Sequence, residues 1–163
     1  MNILKNIRKD FYFKRVCLIT IISTFIFYSL AVLRHYLLQS NAYDLGLFDQ
    51  WIWLTSKNLP SYSSMTGLHM FADHGAWTLY IPSLIYKIKP DLNILFFSQS
   101  ASLCLTSIPL YSLCKRKELN SKISFLITLL WLLQPVVFNI NLYDFHPEVM
   151  SMPLIVLYYY FES

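Results

Sequence analysis

Three stretches of this chain run almost free of charge over lengths that reach across a bilayer, and they constrain its fold more than any other feature. Residues 16–33 form one continuous apolar run, residues 92–113 a second and residues 123–140 a third. A hydrocarbon core about 30 Å thick needs roughly 20 predominantly apolar residues in a helix, so each run is a candidate span. Residues 149–161 begin a fourth. Composition makes the same demand. With 56% of residues hydrophobic and 13% charged, about half the charged content of an ordinary soluble domain, too little polar surface remains to cover a core built from these runs. The sequence predicts an all-α membrane protein, a multi-pass helical bundle.

The net charge of +4 is distributed as topology rather than as a nucleic-acid surface, so the expected partner is the lipid bilayer and not a nucleic acid. Lys5, Arg8, Lys9, Lys14 and Arg15 precede the first run, and Lys115, Arg116, Lys117 and Lys122 separate the second from the third. Asp44, Asp49, Asp73, Asp91, Asp144 and Glu148 fall in the alternating segments. Short basic loops stay in the cytoplasm. The expected layout is a cytoplasmic basic head at 1–15, a span at 16–38 and an external loop at 39–91. A span at 92–114, a cytoplasmic loop at 115–122 and a span at 123–140 follow. An external acidic turn at 141–148 leads into a further, truncated span at 149–163. Pro135 either kinks the third span or ends its regular part. A basic head before an apolar run also describes a signal peptide, but this run is long for one. Arg34-His35-Tyr36 follows it without a small-residue cleavage site.

Within the external loop, residues 45–57 have helical spacing. Leu47, Phe48, Trp51, Ile52 and Leu54 make an apolar face, and Asp49, Gln50 and Lys57 point toward water. That pattern predicts a helix lying in the membrane interface, with Trp51 and Trp53 at headgroup level. Residues 77–88 are apolar but too short to cross, and they lie flat or re-enter. Cys17, Cys104 and Cys114 show no Cys-x-x-Cys spacing and are expected to serve packing. Tyr158, Tyr159, Tyr160, Trp131, Met150 and Met152 are expected to face lipid or pack at the interface.

Two acidic stretches share the expected external side, Tyr43-Asp44-Leu45-Gly46-Leu47-Phe48-Asp49-Gln50 and Asp144-Phe145-His146-Pro147-Glu148. With Asp73, His74 and His69 they gather carboxylates and imidazoles beside lipid, where ionisable groups usually mark a site. Such a set can supply a general base, hold a divalent metal against phosphate charge or relay protons. Plainer roles stand beside these. Asp44 could cap the 45–57 helix, and Asp49 could belong to its solvated face. His69 and His74 could be surface residues, although Asp73 is placed to fix the tautomer of His74. Pro147 with Glu148 behind it starts a helix, with Asp144 or His146 near its cap.

The same residues carry a resemblance. Residues 43–50, Asp73-His74 before an apolar segment, Ile108-Pro109-Leu110-Tyr111 before a basic loop, and residues 144–148 occur in the order of a bacterial multi-pass family. Over roughly 40–161 the chain resembles the domain-of-unknown-function family numbered two-zero-seven-nine, related to the GT-C integral-membrane glycosyltransferases. The resemblance implies a GT-C-like N-terminal portion in a bacterial inner membrane, with interfacial helices in the first external loop and a polyprenyl-phosphate sugar as donor. It implies catalytic roles for Asp44 and Asp49, one of which would take the acceptor proton. It gives Asp73, His74, Asp144, His146 and Glu148 to the donor phosphate, directly or through a divalent metal whose need is left open. The family histidine is often followed by Phe-Ser-Pro, where this chain has Gly75-Ala76-Trp77. Family members have more spans, so the chain corresponds to their N-terminal part. It is expected to be inactive alone, with a partner chain supplying the missing spans. The alternatives are a non-enzymatic transporter or ion-binding component, and an inactive truncated fragment.

Overall fold

The computed structural model describes residues 10–162, so Lys5, Arg8 and Lys9 of the basic head lie outside the described residues. The first span is one helix, α1 (Phe11–Tyr36). It starts ahead of the expected 16 because the Asp10 carboxylate accepts the Tyr12 N–H at 2.9 Å, satisfying a donor that the first turn leaves open. The second span is α5 (Asn93–Leu105) and α6 (Ser107–Arg116), and the third is α7 (Ser121–Leu133) and α8 (Pro135–Leu142). Between the first two spans lie α2 (Ala42–Ser56), α3 (Met70–Asp73), a 3₁₀ turn (Trp77–Leu79) and α4 (Tyr80–Tyr86). A second 3₁₀ turn (Pro147–Ser151) leads into α9 (Met152–Glu162).

Two of the spans are broken at proline. Pro135 has no N–H and opens α8 as its first residue, with Gln134 extended at ψ 126°, so the regular part of the span ends there as expected. At Thr106 the backbone stays helical, at φ −54° and ψ −28°, and the interruption is one missing bond, because Pro109 cannot donate to the Leu105 carbonyl one turn back.

Polarity is inverted relative to a water-soluble fold. Thr20, Thr24, Gln99, Ser100, Ser107, Ser124 and Thr128 are buried, whereas Leu18, Ile21, Ile22, Phe25, Ile26, Leu126 and Leu130 are exposed. The buried hydroxyls of Thr20 and Thr24 donate to carbonyls one turn back, and Thr20 also meets Ser107 of α6 side chain to side chain. Small and hydroxyl side chains let helices approach where lipid replaces water as the outer solvent. Three helical stretches, Phe11–Tyr36, Asn93–Arg116 and Ser121–Leu142, are long and apolar enough to cross a bilayer. The chain is therefore an all-α membrane protein.

The principal core lies in the connection after α1. Leu45, Leu47, Phe48, Trp51 and Ile52 of α2 pack with Met70, Leu79, Tyr86, Leu95, Phe96, Phe145 and Met150. Burial of Phe48 alone is worth roughly 1.5–3 kcal/mol. Several sequence expectations change here. Trp51 is fully buried inside the protein, whereas Trp53 is exposed. Asp44 does not cap α2; the cap is Asn41, whose Oδ1 accepts the Tyr43 N–H at 3.0 Å, and the helix begins earlier for that reason. Gln50 is half-buried, and its Oε1 accepts from the Ser63 hydroxyl and the Ser64 N–H while its Nε2 donates to the Ser64 hydroxyl. Tyr160 and Met150 are buried rather than lipid-facing, and the Arg116 guanidinium lies over the Tyr160 ring. The three cysteines are free, with Cys104 and Cys114 buried.

Candidate functional site

Phe48 of α2 holds the two candidate histidines. His74 packs edge-on against it at 5.0 Å between ring centroids, His146 at 5.6 Å, and Phe145 at 5.7 Å. Residues 43–50, Asp73-His74 and the 144–148 turn, distant in sequence, thus meet on one ring. Each imidazole is fixed through its Nδ1. His74 Nδ1 lies 2.9 Å from Asp73 Oδ1, as expected of a carboxylate that sets the tautomer. His146 Nδ1 lies 2.8 Å from the Asp144 carbonyl oxygen, which can only accept. In both rings Nδ1 is the donor, and Nε2 is left for other chemistry.

Local backbone explains the first histidine's placement. Short helix α3 is capped by His69, whose Nδ1 accepts the Phe71 N–H at 3.3 Å, so His69 has the plain structural role. The chain leaves α3 through Gly75 at φ +56°, a left-handed conformation that glycine adopts without strain. That turn delivers Trp77 and Thr78 to the wall of a cavity of about 330 Å³ lined by His74, Thr78, Pro147, Glu148 and Ser151. The Thr78 hydroxyl closes it by donating to the Pro147 carbonyl at 2.9 Å.

Glu148 stands at a junction. It lines the His74 cavity, a groove of about 470 Å³ with Ile140, Tyr143, His146 and Val149, and a further groove of about 300 Å³ with Leu103, Trp131 and Val137. The first is polar in part; the grooves are almost wholly apolar. Glu148 is exposed, and no residue among those described bonds to its carboxylate.

The remaining candidates are dispersed. Asp144 is 2% exposed, with Oδ1 on Arg34 at 2.9 Å and Oδ2 accepting the Asn41 N–H at 2.9 Å. Asp49 is half-buried and accepts the Tyr86 hydroxyl at 2.7 Å. Burial first, and then this bond and the Asp49 charge, push the Tyr86 hydroxyl far above the ordinary tyrosine value. Asp44 sits in the first turn of α2, with only a long contact of 3.4 Å from the Asn41 amide. Asp44 and Asp49, five positions apart, project about 140° from one another around the helix. Among the described residues no group of three or more His, Cys, Asp or Glu side chains is placed to hold a metal ion.

Residues passed over in the sequence carry much of the site's support. Gln99 is buried in α5; its Oε1 accepts the His146 N–H at 2.8 Å and its Nε2 donates to the Ile140 carbonyl at 3.1 Å. Asn141 is likewise buried and bonded to Ser100 and to the Phe27 carbonyl. Arg34 closes the set through Asp144. A polar amide in an apolar span, or an arginine at its end, needs a partner beside lipid, and that was the available signal. Asp10 gave none, and it breaks the expected segregation of acidic residues by joining the basic end of the bundle. There it accepts from Tyr111 and Ser121.

No curated protein and no solved structure matches the sequence. The family described as "Predicted membrane protein (DUF2079)" matches residues 34–163, a stretch that takes in α2, both histidines and the 144–148 turn. With that match over most of its length, the chain belongs to the DUF2079 family of membrane proteins.

Proposed function

We propose that this chain is the donor-binding part of a membrane glycosyltransferase that takes sugar from a polyprenyl-phosphate carrier at the external face. One observation carries the proposal: the Glu148 carboxylate, without a bonding partner among the described residues, lines both a partly polar cavity holding His74 and two apolar grooves. An amphiphile with a polar head and a long hydrocarbon chain fits such a junction. His74, held at Nδ1 by Asp73, faces the donor phosphate with Nε2. Glu148 would repel phosphate and instead accepts from sugar hydroxyls. Either Asp44 or Asp49 takes the acceptor proton as the acceptor oxygen bonds to the anomeric carbon and the carbon–oxygen bond to phosphate breaks, its electron pair leaving with the phosphate. Asp49 keeps Oδ2 free for this, since only Oδ1 meets Tyr86 among the described residues. Asp144, with both oxygens engaged, acts by holding the turn.

A transporter would place ionisable groups near mid-span. In the described spans the charged side chains and the histidine sit toward the ends, at Lys14, Arg15, Arg34, His35, Lys115, Arg116 and Lys122. The test is binding of a polyprenyl-phosphate hexose to the chain in lipid nanodiscs, against polyprenol as control. His74→Ala and Glu148→Gln should each weaken binding roughly 10-fold or more, the loss of one charge-assisted hydrogen bond. Equal binding by wild type and both variants would remove the junction from donor recognition. Once the chain is joined by the spans that complete turnover, Asp49→Ala should abolish transfer and leave membrane insertion unchanged.

A further inference from the structure

We infer that Arg34 is a positioning residue for His146, acting through Asp144. The inference rests on the proposed function only for its consequence in the site, because it concerns how one imidazole is set. Asp144 is pinned at both carboxylate oxygens, by Arg34 Nη1 from the end of α1 and by the Asn41 N–H at the start of α2. Its own carbonyl takes the Nδ1–H of His146 at 2.8 Å. Side chain and carbonyl belong to one residue, so the pin that holds the carboxylate also fixes the peptide plane that orients the imidazole. Gln99 holds the other side of the turn through the His146 N–H, and Phe145, fully buried, anchors it between them. His146 lines the 470 Å³ groove that it shares with Glu148, and its Nδ1 is already committed to the turn.

Arginine suits this position. Removing one partner of a buried ion pair is strongly destabilising, and Arg34 reaches the buried Asp144 while itself a quarter exposed. Without the guanidinium, the Asp144 carboxylate keeps only the Asn41 N–H, and the carbonyl loses one of the two bonds that fix its direction. His74 supplies an internal control. Its tautomer is set by Asp73, which makes no contact with Arg34 or Asp144 among the described residues.

The experiment is nitrogen NMR of the imidazoles in the full chain, labelled with ¹⁵N-histidine in nanodiscs, for wild type, Arg34→Met and Arg34→Lys. Wild type should show His146 as a single Nδ1–H tautomer. Arg34→Met should shift its tautomer ratio roughly fivefold toward Nε2–H, as expected for one lost hydrogen bond, with His74 unchanged. Arg34→Lys should restore most of the wild-type signature. An unchanged His146 in Arg34→Met overturns the inference. So does a joint change of both histidines, which would mean general loss of packing. If Arg34→Met does not fold, Asp144→Asn serves in its place, since it keeps the shape and removes the charge that Arg34 meets; an unaltered His146 there is equally fatal. No donor or acceptor is present in these spectra, so the inference can fail while the transferase proposal stands, and the reverse.

Discussion

Replacing Asn141 with leucine tests whether buried polar contacts, rather than apolar packing alone, hold α8 against its neighbours. Asn141 is 1% exposed; its Nδ2 donates to the Phe27 carbonyl at 2.9 Å and its Oδ1 accepts the Ser100 hydroxyl at 2.7 Å. Leucine nearly matches the volume and removes both bonds. A side-chain hydrogen bond between membrane helices averages about 0.6 kcal/mol and reaches about 1.7, so the pair accounts for about 1.2 kcal/mol. The Phe27 carbonyl keeps its bond within α1, but the Ser100 hydroxyl, fully buried, is orphaned at a cost of about 1 kcal/mol. Asn141→Leu should therefore destabilise by about 2 kcal/mol. Ser100→Ala made on top of it should return about 1 kcal/mol, because the orphan is then gone. Unfolding by SDS, followed by thiol labelling of buried Cys104 in a variant lacking Cys17 and Cys114, gives both numbers. An Asn141→Leu protein within about 0.5 kcal/mol of wild type, or a double variant weaker than the single, would refute the reasoning.

Three further outcomes are expected. Tyr86→Phe should cost about 1.5–3 kcal/mol at neutral pH, the range for a hydrogen bond to a charged group, measured by the same unfolding assay. At Asp10, burial raises the carboxyl, but bonds from Ser121, Tyr111 and the Tyr12 N–H outweigh it and hold the group below its ordinary 3.8. Its contribution is then complete above about pH 4 and lost as pH falls further, so Asp10→Asn should flatten the acid side of the stability profile. Single cysteines at the exposed positions Tyr62, Tyr143 and Lys117, in a background without native cysteines, should label from outside, outside and inside respectively in oriented vesicles. Labelling of Tyr62→Cys and Tyr143→Cys from opposite faces would separate the two acidic stretches and remove the shared site.

The spans were legible because length and hydropathy alone set them. Helix starts at Asp10 and Asn41 moved the boundaries by capping chemistry that hydropathy does not register. The Pro147 helix start and the Asp73 contact to His74 were legible too, since both depend on residues adjacent in sequence. What stayed hidden is long-range pairing. Arg34 with Asp144 and His146 with Gln99 join residues far apart in the chain, and no periodicity encodes such partners. The partner of Asp49 was hidden for a related reason. Its helical face looked solvated until α4 folded back and set Tyr86 against it.

The proline breaks at Thr106 and Gln134 leave α1 as the unjointed span. The consequence is mechanical. The half-helices α5 and α8, which carry Gln99 and Asn141 toward the 144–148 turn, each end in a joint that lacks a full helical bond, whereas α6 and α7 beyond the joints abut the Asp10 cluster. If these joints bend, the half of the bundle that carries the 144–148 turn moves against a continuous α1. Spin-label distances from α1 to α8 should spread more widely than those from α1 to α7; equally narrow distributions would mean that both joints are rigid.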